Sequence, residues 1–161
     1  MNASGDQRRA EGEGAGVPEV VVVNRQRVTS VDLEWVSRFA GEAVVRCVRH
    51  SGDGAYALRG MGEVEVTVVS DRRIAQIHRD FMGVPGATDV ITFQHGEVIV
   101  SVETAAMYAR EHGHGLEEEI GLYIVHGFLH LNGFEDTTPE LRSRMFAVQD
   151  PIWSECLEAL R

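Results

Sequence analysis

The stretch His126–Asp136, HGFLHLNGFED, constrains this chain more than any other part of it. Upstream, Ile120, Leu122, Tyr123, Ile124 and Val125 form an apolar run that carries the segment Leu116–Leu131 into a core as a helix. His126 and His130, four apart on that helix, share one face and lie one turn from each other. An unpartnered imidazole at the buried end of an apolar helix is costly, whereas two that share a ligand have a reason to be there. Gly133 follows three residues later, where a helix commonly leaves through a left-handed residue that glycine adopts without a Cβ penalty. The chain can then turn back and bring Asp136, six residues past His130, to the same point.

The resulting pattern, H-x3-H-x2-G-x2-D, has the spacing of the long zinc-protease signature with a carboxylate as third ligand. Two neutral imidazoles and one carboxylate suit zinc, and three protein ligands leave a fourth position for water. His126, His130 and Asp136 are therefore expected to hold one Zn2+ ion. Metalloproteases of this spacing place a glutamate general base directly after the first histidine; here that position is Gly127. Peptidase chemistry lacks its base, while metal activation of water serves phosphoryl targets as well as carbonyl ones.

The 161-residue chain, 43% hydrophobic and 25% charged, fits one globular domain. Residues 1–18, small, polar and Gly-rich, cannot repay the entropy of ordering and read as a disordered tail before a domain spanning 19–161. No apolar stretch follows Arg8 and Arg9, which excludes a signal peptide, and no segment reaches the roughly 18–20 apolar residues of a membrane helix. A soluble, cytoplasmic protein without membrane partners is the expectation. All 15 basic residues are arginine, set against 25 acidic ones for a net charge of −10. Phosphate affinity comes from clustered cations, so generic nucleic-acid binding is disfavoured, and an RNA substrate needs a local patch or the metal to attract it. Arginine is at least the better residue for bidentate phosphate contact. Cys47 and Cys156 form no CxxC and read as two buried, reduced thiols.

Strands and helices alternate along the rest. Glu19–Asn24 is a β-branched run that reads as a buried strand, followed by a polar turn at Asn24–Arg27. Ser30 is placed to cap a helix over Val31–His50, ended by Ser51–Gly54. Glu63–Val69 alternates acid with Val and Thr, the pattern of a half-exposed strand. Ser70 caps a helix over Asp71–Met82 that Gly83 closes. Thr88–Phe93 and Glu97–Val102 read as a tight hairpin. A helix over Glu103–His112 stops at Gly113, and Glu117, Glu118 and Glu119 complement the dipole at the start of Leu116–Leu131. The last helix starts at Thr138 and Pro139 and is kinked or restarted at Pro151. This order predicts a single α+β domain, a small mixed sheet of about four strands packed with helices.

HGFLHLNGF resembles the HGxLHLxGY signature of the YbeY-type rRNA maturation endoribonucleases. Thr88-Asp89-Val90-Ile91-Thr92-Phe93 is similar to that family's TDVxSF strand, and Gly96-Glu97-Val98-Ile99-Val100-Ser101 to its GDIxIS strand, in the same order. The likeness runs from Glu19 to Leu160. It implies a zincin-like fold, zinc, and single-strand-specific RNA cleavage in maturation of the 3′ end of small-subunit ribosomal RNA and in ribosome quality control. Single-stranded RNA, small-subunit rRNA or the ribosome are the implied partners. His126 and His130 match the first two metal histidines; the third is usually histidine, and Asp136 stands there. A carboxylate lowers the net charge of the site relative to three imidazoles, so its water is expected to be less acidified. The family often carries an arginine six residues before the threonine of TDV, where this chain has Met82. Arg79, one turn away, is then the candidate phosphate contact, while Arg72 and Arg73 read as a solvated helix face. Asp89 is a candidate for orienting a metal ligand, with hydrogen bonding at the strand start as its other reading.

His95 reads as a hairpin-turn residue, His112 and His114 as flanks of the helix stop, and Glu135 as a solvated acid beside the site. Trp35 and Trp153 stand at packing positions. The favoured reading is a zinc-dependent endoribonuclease in which a metal-activated water attacks a phosphodiester, with no general base singled out. Two others stay open. One is a zinc peptidase or amide hydrolase, against which Gly127 stands. The other is a non-catalytic, ribosome-associated metal-binding module, which Met82 and the charge of −10 favour.

Overall fold

The valine run Glu19–Asn24 forms strand β1. After helix α1 (Leu33–Cys47) the chain lays β2 (Glu63–Val69) parallel beside it, with Val22 opposite Val66. Helix α2 (Asp71–Met82) leads to β3 (Val90–Phe93), which turns through Gly96 into β4 (Glu97–Ser101). β4 pairs parallel with β2 and antiparallel with β3, giving four strands in the order β1-β2-β4-β3. Helices α3 (Val102–His112), α4 (Leu116–Leu131) and α5 (Pro139–Ala159) complete an α+β domain. The computed structural model describes residues 16–161, so most of the tail expected over 1–18 lies outside the described residues.

Alternation along the strands sorts the two faces of the sheet. Val64, Val66, Val68, Val98 and Val100 join the main core with α1, α4 and α5, where Phe39, Ile124, Phe128 and Met145 are completely buried. On the other face Val69, Ile91 and Ile99 meet Ile74 and Ile77 of α2. Cys47 and Cys156 are buried, unpaired thiols. Among the described residues, no helix is long and apolar enough to cross a membrane.

Local expectations shift in four places. β1 is not a buried strand: it lies at the edge of the sheet, with residues 20–23 half-buried and both ends exposed. α1 is capped by Asp32, whose side chain accepts from the Trp35 amide at 3.0 Å, and not by Ser30. It ends at Cys47 because the Arg49 and His50 amides bond three residues back, to Arg46 and Cys47, tightening the last turn. β2 is more buried than a half-exposed strand: it lies between β1 and β4, and Thr67 and Val69 are covered despite facing away from the main core. α5 runs through Pro151 without restarting.

Candidate metal centre

α4 crosses β3 and β4 so closely that a Cβ at Gly127 would lie 2.7 Å from Val98 Cγ1 and 3.2 Å from Thr92 Oγ1. No side chain fits there, so the glutamate position of a peptidase is closed by packing as well as empty in sequence. This contact fixes the helix on the sheet and sets His126 and His130 beside β3, whose Val90, Ile91 and Thr92 line the same cavity.

The helix then ends in a tightly bonded turn. Gly133 takes φ 93°, its amide donates to the His130 carbonyl at 3.1 Å, and the Phe134 amide donates to that of Leu129 at 3.0 Å. The loop following α1 clasps this turn. Amides of Gly52 and Gly54 donate to the Asn132 and Gly133 carbonyls at 3.0 and 2.9 Å. The buried Asn132 side chain donates to the Cys47 and His50 carbonyls, at 3.0 and 2.5 Å, and accepts from the Leu58 amide at 3.0 Å. A backbone held on both sides has one direction left, and it carries Asp136 back over the helix end.

Asp136 Oδ2 lies 3.4 Å from His126 Nε2 and 3.6 Å from His130 Nε2, and the two Nε2 atoms are 3.0 Å apart. Each ring's other nitrogen is already engaged. His126 Nδ1 donates to Gln149 Oε1 at 2.6 Å, and His130 Nδ1 donates to the Phe134 carbonyl at 2.9 Å. The Gln149 amide nitrogen donates to Asp150 at 3.3 Å, which orients its oxygen toward the imidazole. With protons on both Nδ1 atoms, both Nε2 lone pairs point at the same small volume as the carboxylate. Two facing lone pairs repel unless a cation lies between them. Tetrahedral zinc, with bonds of about 2.0–2.1 Å, spaces its donors roughly 3.3–3.5 Å apart, and this donor set fits it. Burial, followed by the neighbouring His130, lowers the His126 pKa from 6.5, against the opposing pull of Gln149, Asp136 and Asp89. At neutral pH the ring is in its ligating form.

The three groups open onto a cavity of about 600 Å³, lined also by Tyr56, Met82, Asp89 and Glu135 but, among the described residues, by no arginine. An adjoining groove of about 520 Å³ shares Phe134 and Glu135 and brings in Arg49, His50 and Arg144. The cations beside the site therefore come from the end of α1 and from α5. Arg79 on α2 has a 65% exposed side chain with Nε 3.6 Å from Asp80, and it does not line the cavity. Asp89 does line it, but its Oδ1 accepts from the Val90 amide at 2.8 Å and the Thr88 hydroxyl at 3.3 Å, the bonds of a strand start. The groups that orient the imidazoles are Gln149 and the Phe134 carbonyl. Sequence reading missed Gln149, although a polar residue within the buried stripe Met145, Gln149, Ile152, Cys156 of α5 was a usable signal. It also took Glu119 only as part of an acidic helix start, whereas that residue is 1% exposed.

The family profile described as endoribonuclease YbeY matches residues 22–156. Endoribonuclease YbeY of Brevibacillus brevis is 32% identical over 148 residues, covering 77% of this chain and 91% of the relative. That of Bacillus pumilus is 34% identical over 137 residues, covering 73% and 86%. The solution structure of TM1509 from Thermotoga maritima shares the fold, with a TM-score of 0.56 over 87% of this chain and 93% of that one at 22% identity. The profile match over most of the chain and the identity to these relatives show that the chain belongs to the endoribonuclease YbeY family.

Proposed function

We propose that this protein is a metal-dependent endoribonuclease that holds one Zn2+ ion at His126, His130 and Asp136 and cleaves single-stranded RNA. Within the cell the reading assigns it to 3′-end maturation of small-subunit ribosomal RNA and to ribosome quality control. Its setting is the cytoplasm, where unpaired buried thiols such as Cys47 and Cys156 persist. Residues 19–161 form the working domain, with 1–18 as a tail. The observation that carries the proposal is the convergence of two imidazole Nε2 atoms and one carboxylate at a solvent-open cavity, in a chain of this family.

A bound divalent cation supplies Lewis acidity to a phosphodiester and lowers the pKa of an attacking water. The chain's own residues prepare for that chemistry. Gln149 and the Phe134 carbonyl keep both Nδ1 protons in place, so the Nε2 atoms stay aimed without reorganisation. Asp136, with 38% of its side chain exposed, leaves one side of the cluster open for substrate. Among the described residues the cavity has no arginine, so phosphates on either side of the scissile bond are taken up by Arg49 and Arg144 in the adjoining groove. Arg144, 2.9 Å from Asp53, exchanges that partner for a phosphate.

The test measures bound zinc and cleavage of single-stranded RNA side by side for the wild type and His130→Ala. The variant should lose one equivalent of zinc and the cleavage together. Full zinc retention would refute the ligand assignment. Intact RNA after incubation with the zinc-loaded wild type would refute the nuclease and promote the ribosome-associated binding module. An Asp136→His variant should shift the pH–rate midpoint downward, because a third imidazole leaves the site more positive.

A further inference from the structure

We propose that His112, His114 and Glu119 form a second site for a divalent transition-metal ion of the zinc, cobalt or nickel class. α3 ends at Gly113 with φ 76°, and a Cβ there would meet nothing within 4 Å, so this turn is set by backbone bonding and not by crowding. The left-handed residue swings its two neighbours to one side, leaving the imidazoles of His112 and His114 with centroids 5.7 Å apart. Glu119, from the first turn of α4, meets both. Its Oε2 is 3.5 Å from His112 Nδ1 and in direct contact with His114 Nε2. The three ligand atoms lie within 4.8 Å of one another, and the donor set matches that of the first site, two imidazoles and a carboxylate.

Burial and access support the assignment independently. The Glu119 carboxylate is removed from water, a placement that demands a compensating positive charge. His112, 49% exposed, provides a path for an ion from solvent. A cavity of about 220 Å³ opens beside His112 and Glu119, with room for water to complete a coordination shell. Tyr123 lines the same cavity, and after burial it is the Glu119 carboxylate, by charge and by hydrogen bonding, that raises its pKa.

This ion would not form a binuclear centre with the first. Glu119, Tyr123, His126 and His130 follow one stripe of α4, and seven residues at 1.5 Å each separate Glu119 from His126 by roughly 10 Å. Paired catalytic metals lie about 3.5–4 Å apart. The second ion instead ties the end of α3 to the start of the helix that carries the first site.

Chelator-stripped full-length protein, titrated with zinc and followed by native mass spectrometry and chelator competition, tests the assignment. The wild type should take two equivalents, and His112→Ala and Glu119→Gln one each, the affected site weakened at least about tenfold. His130→Ala should also keep one, and His112→Ala combined with His130→Ala none. A wild type that takes a single equivalent, abolished by His130→Ala, overturns the proposal. So does unchanged stoichiometry in both His112→Ala and Glu119→Gln. If His130→Ala alone left the stoichiometry unchanged, the first ligand set would fall while this one stood.

Discussion

Replacing Gly133 with alanine would show how far the metal centre depends on one turn. At φ 93° an L-residue carries left-handed strain of about 1–2 kcal/mol. The new Cβ would also sit 3.1, 3.2 and 3.2 Å from the carbonyl oxygens of Gly54, Gly52 and Tyr56. All three are backbone atoms of the loop fastened to this turn, so relief means moving that loop, an overpacking cost of about 1–3 kcal/mol. The sum, about 3 kcal/mol, should lower the melting temperature by roughly 6–12 °C for a domain of this size. Gly83→Ala is the internal control, because Gly83 is also left-handed (φ 66°) but has nothing within 4 Å of its Cβ position. That variant should show the strain alone. Thermal unfolding in chelator gives the two stabilities, and zinc competition gives the consequence for the site, at least about a tenfold loss for Gly133→Ala as Asp136 is displaced. If Gly133→Ala proved no less stable than Gly83→Ala and bound zinc like the wild type, the argument from the clasped turn would fail.

Gln149→Met should keep the core filled while leaving the His126 Nδ1 proton without its acceptor, and zinc affinity measured by chelator competition should fall about 10–100-fold. The lowered pKa of His126 sets a sign for apo stability. The unfolded ring takes up a proton as pH falls through 6.5 and the folded ring only at lower pH, so its contribution is flat above that value and stability is lost below it. Denaturant midpoints at about pH 7.5 and 5.5 should therefore differ less in His126→Asn than in the wild type, and an equal difference would contradict a partly buried, neutral ring. The double variant Arg49→Ala, Arg144→Ala should raise KM for single-stranded RNA with kcat held. The slope of log affinity against log salt should flatten by about 0.7 for each phosphate that no longer meets an arginine, and an unchanged slope would remove the groove from the binding surface.

What could be read from the sequence was whatever short-range geometry decides. Four-residue spacing put His126 and His130 on one face, and a glycine three residues on marked a left-handed exit. The hairpin and the proline-started last helix likewise follow from local turn chemistry. Partners supplied by tertiary packing were out of reach. Gln149 meets His126 across 23 residues because α5 lies against α4, and no periodicity announces which polar side chain will face a given imidazole. Arg49 and Arg144 come together only when the loop after α1 meets α5. Arg79 is close to the site in sequence register but points to solvent, since α2 spends its apolar face on Ile74 and Ile77. The cap of α1 was a closer contest. Asp32 won over Ser30 because its carboxylate reaches the third amide onward, where the first free N–H groups of the helix lie.

Asn132 links three carbonyl or amide groups of the segment Cys47–Leu58 to the residue before the glycine turn. The far end of α1 and the turn proposed to hold the ion are therefore tied to one another. Loading the centre with zinc should slow amide hydrogen exchange at Gly52, Gly54 and Leu58, none of which touches the metal, and chelation should release them. A substitution in that glycine-rich loop would then be felt as weakened metal retention, so occupancy of the centre and integrity of the fold's first half report on one another.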